Sequence, residues 1–155
     1  MKLRKNKKGF TLVELVVVIA ILAVLAGTAT VATIAILNNS RKTPVTDAAN
    51  SIKNQMSYYV LDGEYADTKE GFLKYLAASM PDLAVDTATG TNATTCSDNK
   101  IHVMLSTGTN LKGQQWSVIV YTKYFKQKVT YKWDATNKGF GGFEVSDVKK
   151  LSDNF

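Results

Sequence analysis

Glu14 carries the clearest chemical demand in the chain. It is the one charged side chain among the 28 residues from Phe10 to Leu37. A carboxylate in apolar surroundings is costly unless a cation or hydrogen-bond donors meet it. Its chemistry is therefore pairing, not proton transfer. The other candidates are weaker. His102 is the only histidine and Cys96 the only cysteine, so no disulfide can form within one chain. His102 lies in a strand-like run, where a lone histidine is more often structural than catalytic. Asp62, Glu64 and Asp67 could be read as metal ligands, but they read better as helix caps and solvent-facing charges. No Cys and His spacing matches a metal site. The glycines from Gly139 to Gly142 lack the Lys-Ser/Thr that a phosphate loop needs. The expectation is a non-enzyme with no catalytic residue, no metal and no cofactor.

The apolar run that holds Glu14 needs a matching environment. A bilayer-spanning helix takes about 20 apolar residues, so Phe10–Leu37 is long enough to span. Lys2, Arg4, Lys5, Lys7 and Lys8 precede it and hold the net charge. The remaining chain has 14 Lys and Arg against 13 Asp and Glu, nearly neutral. Basicity thus belongs to the leader and not to a nucleic-acid surface. The basic end stays in the cytoplasm and the rest is exported. A cleaved secretory signal has an apolar core of roughly 7–15 residues, which this run exceeds. A plain signal anchor, or a static anchored domain that never polymerises, explains the length but leaves Glu14 unexplained.

Gly9-Phe10-Thr11-Leu12-Val13-Glu14-Leu15, behind a short lysine-rich leader, resembles the processing site of a type IV prepilin with a class III leader. Type IV pilins and the pseudopilins of type II secretion and DNA-uptake machines share it. The resemblance covers residues 1 to about 37. It implies cleavage between Gly9 and Phe10 by a prepilin peptidase and N-methylation of the new Phe10 amine. It also implies subunit assembly through Glu14, paired with the Phe10 amine of a neighbouring copy. The implied partners are further copies of the chain, the peptidase, the membrane before assembly and, indirectly, an assembly platform with its motor ATPase. The implied product is a surface filament serving adhesion or motility. Pseudopilin or minor pilin is the alternative. Many family members carry a proline about twelve residues past the cut; here Gly27, Thr28 and Thr30 stand in that region, which leaves a melted helix segment there in doubt.

The boundaries that follow are a leader at 1–9, a transmembrane and filament-core helix at 10–37, an amphipathic continuation at 38–62, and a globular head at 63–155. Ala48, Ala49, Ile52, Met56, Tyr59 and Val60 recur at helical spacing. Thr43-Pro44 either restarts the helix or kinks a continuous one, and Asp62-Gly63 should end it. Leu61-Asp62, Tyr65, Thr68, Gly71 and Leu76 resemble the pilin segment that follows the long helix. A short helix around Phe72–Leu76 should end near Met80-Pro81. Residues 82–100 read as a surface loop. Strands are expected at Ile101–Leu105, Trp116–Thr122 and Val129–Trp133. Phe143–Val145 adds an edge strand, or starts a terminal helix with Asp147–Leu151. The Gly139–Phe143 run reads as a turn or bulge whose Phe140 and Phe143 pack on the sheet. The fold class is α+β, a long helix against an antiparallel sheet. Lys123, Tyr124, Phe125, Lys126, Lys128, Tyr131, Lys132 and Trp133 interleave charge and rings as single-strand binders do. A hairpin with its lysines on the wet side is the preferred reading, so nucleic acid is an unlikely partner.

Overall fold

Proline at position 44 does not stop the first helix. In the computed structural model, which describes residues 9–61, 67–86, 93, 95–106, 111, 113–136 and 139–155, helix α1 runs unbroken over Leu12–Leu61 with Pro44 inside it. Proline lacks an N–H and so leaves the carbonyl four residues earlier, that of Ser40, without its helical donor. The chain divides into two compact units at the same place, one ending at Asn39 and the other beginning at Ser40.

The first unit is the apolar part of α1, and its side chains are exposed along its whole described length. Gly27 does not interrupt it. Thr28, Thr30 and Thr33 return their hydroxyls to the carbonyls of Leu25, Ala26 and Ala29 at 3.0, 2.8 and 2.9 Å. Those bonds satisfy the hydroxyls inside the helix, so the polar residues cost no outside partner.

In the second unit α1 buries Val45, Ala48, Ala49, Ile52, Met56 and Tyr59 along one stripe. Val60 is partly buried beside it. Helix α2, Lys69–Ser79, is capped by Thr68, whose side chain accepts from the Gly71 N–H at 3.1 Å. It ends at Met80, as the Pro81 signal suggests. The sheet contains β1 (Ala84–Asp86), β2 (His102–Leu105), β3 (Trp116–Tyr121), β4 (Phe125–Asp134), β5 (Gly139–Val145) and β6 (Lys149–Lys150). Strands β1 to β5 lie in chain order, and β6 pairs with β4. The pairings are antiparallel except β1 with β2, where Val85 stands beside Val103 in parallel. The sheet is thus mostly antiparallel and packs on α1, in an α+β arrangement.

Of the two readings of Phe143–Val145, the edge strand holds, as part of β5, and Lys149 and Lys150 pair with Lys126 and Phe125. Three expectations need correction. Residues 84–86, inside the expected loop, form a strand. Strand β4 begins at Phe125, not Val129. Lys126 does not face water, because it is fully buried. A bulge does sit in the glycine run, where the β4–β5 register shifts between Lys132 and Trp133. A Cβ on Gly141 would stand 3.0 Å from the Lys132 carbonyl oxygen, and Gly142 holds φ at +106°. Both demands select glycine. Phe143 packs edge-on to Tyr131 at 5.7 Å between ring centres. The expectations for Asp62, Gly63, Glu64 and Tyr65, and for the Phe140 side chain, lie outside what is described.

The core has two sides because β3 is buried on both faces. Val103, Leu105, Trp116, Val118, Val120, Val129 and Tyr131 meet the helices. Met104, Ile119 and Tyr121 face the other way, under Ala93 and Leu151, with Cys96 and Phe155 partly buried against them. Period-two alternation sorts these side chains. Trp116 meets Phe72 and Tyr59 edge-on, at 4.7 and 6.3 Å.

Candidate functional site

The head of α1 is the first site to build. Thr11 precedes the helix, and Glu14 is its third residue. The Thr11 N–H and hydroxyl both donate to Glu14 Oε2 at 2.8 Å. The Glu14 N–H donates back to Thr11 Oγ1 at 3.3 Å. This is a reciprocal capping box, which satisfies two otherwise orphaned donors of the first turn. The carboxylate also lies at the positive end of the helix dipole. Glu14 therefore has hydrogen-bond donors within its own chain, three residues away. The signal for this cap is the spacing Thr11-Leu12-Val13-Glu14.

Phe10 stands just outside the helix and is 90% exposed. A Cβ on Gly9 would meet nothing within 4 Å among the described residues. Beyond Glu14, large apolar side chains from Leu15 to Leu37 are all exposed. The helix is long and apolar enough to cross a membrane. Gly9, Phe10 and Glu14 thus sit together at one end of an uncovered apolar rod.

Part of the basic aromatic stretch is turned inward. Phe125 and Tyr131 are buried in the core. Tyr124 is 39% exposed, with the Arg41 guanidinium carbon 4.2 Å from its ring centre, and Trp133 is half-buried. Lys126 donates to the Ala93 carbonyl at 3.0 Å, and burial pulls its pKa down. Lys132 pairs with Glu144 at 2.7 Å. Stacking bases need open ring faces, and Phe125 and Tyr131 offer none.

Of the three acids considered as metal ligands, Asp67 accepts the Leu111 N–H at 2.8 Å, while Asp62 and Glu64 lie outside the described residues. The structure instead gathers Cys96, Asp98 and His102, whose ligand atoms all lie within 4.8 Å of one another. His102 Nε2 is 2.7 Å from Asp98 Oδ1, and this contact holds the Asp98 pKa down. Burial pushes the Cys96 thiol up. The spacing Cys96-x-Asp98-x-x-x-His102 matches no familiar metal motif, and nothing in it foretells that β1 brings Asp86 within 3.6 Å of His102.

Residues 4–30 match the family model described as the prokaryotic N-terminal methylation motif. No curated protein and no solved structure matches the chain.

Proposed function

We propose that this chain, whose residues 4–30 carry the N-terminal methylation motif found in prepilins, is a structural subunit of a type IV pilus. A prepilin peptidase cuts between Gly9 and Phe10, removing the five basic leader residues and freeing an amine on Phe10. That amine is then methylated. The open surroundings of Gly9 support this reading, because a peptidase must reach the bond that follows it.

The observation that carries the assembly role is the position of Glu14. It heads a helix whose apolar side chains from Leu15 to Leu37 are uncovered. Lipid covers that surface before assembly, and the same surfaces of neighbouring copies cover it in a filament. Little apolar area changes exposure to water in that exchange, so it is a poor source of direction. An ion pair between Glu14 and the Phe10 amine of a neighbour supplies direction and register, because a buried carboxylate tolerates few other positions. The capping box holds the carboxylate in place until the amine arrives. The head, with its β-sheet over the second half of α1, forms the outer surface and faces the targets of adhesion or motility. A secretion pseudopilin receives less support: the resemblance would give it an acidic calcium loop near the C-terminus, whereas residues 134–147 offer only Asp134, Glu144 and Asp147, widely spaced, and Glu144 pairs with Lys132.

The test is electron microscopy and composition of material sheared from cells that express the chain with a pilus assembly system. Thin filaments built mainly of this chain are expected. Processed chain confined to the membrane fraction, with no filaments, would reassign it to the pseudopilins or minor pilins.

A further inference from the structure

On the sheet face away from the helices, an open cleft of about 550 Å³ is lined by Asp86, Cys96, Asp98, His102 and Tyr121, among others. We propose that Cys96, Asp98 and His102 form a Zn²⁺ site in this cleft, with three protein ligands and a fourth position open to water.

The donor set decides the metal. A thiolate, an imidazole and a carboxylate together suit a borderline-soft ion such as Zn²⁺, whereas Ca²⁺ and Mg²⁺ take all-oxygen sets. The spacing fits as well. With Zn–N and Zn–O near 2.0 Å and Zn–S near 2.3 Å, tetrahedral ligands stand about 3.3 Å apart for N and O and about 3.5 Å for S and O. In the structure Cys96 Sγ lies 3.5 Å from Asp98 Oδ1, and His102 Nε2 lies 2.7 Å from the same oxygen. The histidine and carboxylate need only part by about half an ångström. The Lys100 N–H, 3.1 Å from Asp98 Oδ1, steadies the carboxylate.

The second observation is the other ring nitrogen. His102 Nδ1 is buried without a hydrogen bond, and Asp86 Oδ2 stands 3.6 Å from it. The two ring nitrogens thus face two different carboxylates, Nε2 towards Asp98 and Nδ1 towards Asp86. Zn²⁺ on Nε2 leaves the ring proton to Nδ1, where it points at Asp86. The Cys96 thiol gives up its proton to solvent and binds as thiolate. Asp86 is itself held by the Tyr121 hydroxyl, which donates to Oδ2, and the Tyr121 ring stacks on the His102 ring at 5.2 Å. A carboxylate behind a metal-binding histidine is the usual means of fixing ring orientation. Two strands supply that backing, since Asp86 ends β1 and His102 begins β2. Bound metal would pin the 96–98 segment across the sheet.

The test is a Co²⁺ titration of the untagged full chain in detergent micelles, followed by displacement with Zn²⁺. One equivalent should bind, with a thiolate-to-cobalt charge-transfer band in the near ultraviolet that Zn²⁺ abolishes. Cys96→Ser should remove the band. His102→Gln and Asp98→Asn should each weaken binding at least about tenfold, and Asp86→Asn about 10- to 100-fold with the band retained. Far-UV circular dichroism of the metal-free variants checks that they fold. In the native chain, saturating Zn²⁺ should slow alkylation of Cys96 at least about tenfold, a readout that needs no variant. Absence of the band, binding unchanged in folded Cys96→Ser, unchanged alkylation, or preference for Ca²⁺ over Zn²⁺ would each overturn the site.

Discussion

Glu14→Gln separates the two roles that meet at the head of α1. Glutamine is the natural alternate to glutamate in a capping box. Its carbonyl can accept both bonds that now reach Glu14 Oε2 at 2.8 Å, and the backbone bond to Thr11 Oγ1 at 3.3 Å is untouched. The cap survives and the charge is lost. Thr11→Ala does the converse: it deletes the two bonds made through Oγ1 and keeps the carboxylate. Losing a threonine cap costs about 1 kcal/mol, roughly a fivefold rise in fraying of the first turn. In a helix of 50 residues that loss stays local. Breaking a buried ion pair while leaving one partner charged is far larger, about two to three orders of magnitude for each docking step. The assay is filament yield by shearing and immunoblot, normalised to processed subunit in the membrane. Glu14→Gln should abolish detectable filaments, Thr11→Ala should reduce them less than about tenfold, and leader cleavage should persist in both. Normal yield from Glu14→Gln would refute the ion-pair argument and leave Glu14 as a helix cap only.

Other outcomes test the head. Ile52→Ala, in the buried stripe of α1, should lower stability by about 2–5 kcal/mol in urea unfolding followed by circular dichroism, while exposed Leu61→Ala should shift it little. Gly142→Ala should cost about 1 kcal/mol or more, because φ of +106° strains any side chain whatever the space around it. Burial lowers the Lys126 pKa below its ordinary 10.5, so the unfolded chain holds the extra proton. Stability should then rise with pH as it climbs from Lys126's lowered folded value towards 10.5, and Lys126→Met should flatten that rise. Burial raises the Tyr131 pKa above 10.0, which has the opposite sign. The stability it adds is present below pH 10 and is lost above it, and Tyr131→Phe should remove that alkaline loss.

Much of this architecture was legible in residue spacing. The stripe Ala48, Ala49, Ile52, Met56, Tyr59 marked the buried side of α1, and Trp116–Tyr121 was a strand by its β-branched and aromatic content. The misses have physical causes. Strand β1 hides because Ala84-Val85-Asp86 is too short to display a period and sits in polar surroundings. Strand β4 begins early because Lys126, a poor core residue on its own, finds the Ala93 carbonyl and a place beside the Phe155 ring. Both partners are distant in sequence, so no local pattern announces them. At the amino end the structure adds a cap within the chain, from Thr11 to Glu14. In the cleft, Cys96 and His102 are each solitary by type in the sequence, and the fold brings them together.

Processing at the Gly9–Phe10 bond is the step on which assembly depends. The most direct measurement is the intact mass of the chain after co-expression with a prepilin peptidase, compared with co-expression of an inactive peptidase. The account predicts a chain running from Phe10 to Phe155 with one added methyl when the methyltransferase activity is present, and the chain from Met1 when the peptidase is inactive. An uncut chain with active peptidase, or a cut among the small residues from Ala26 to Ala29, would contradict it.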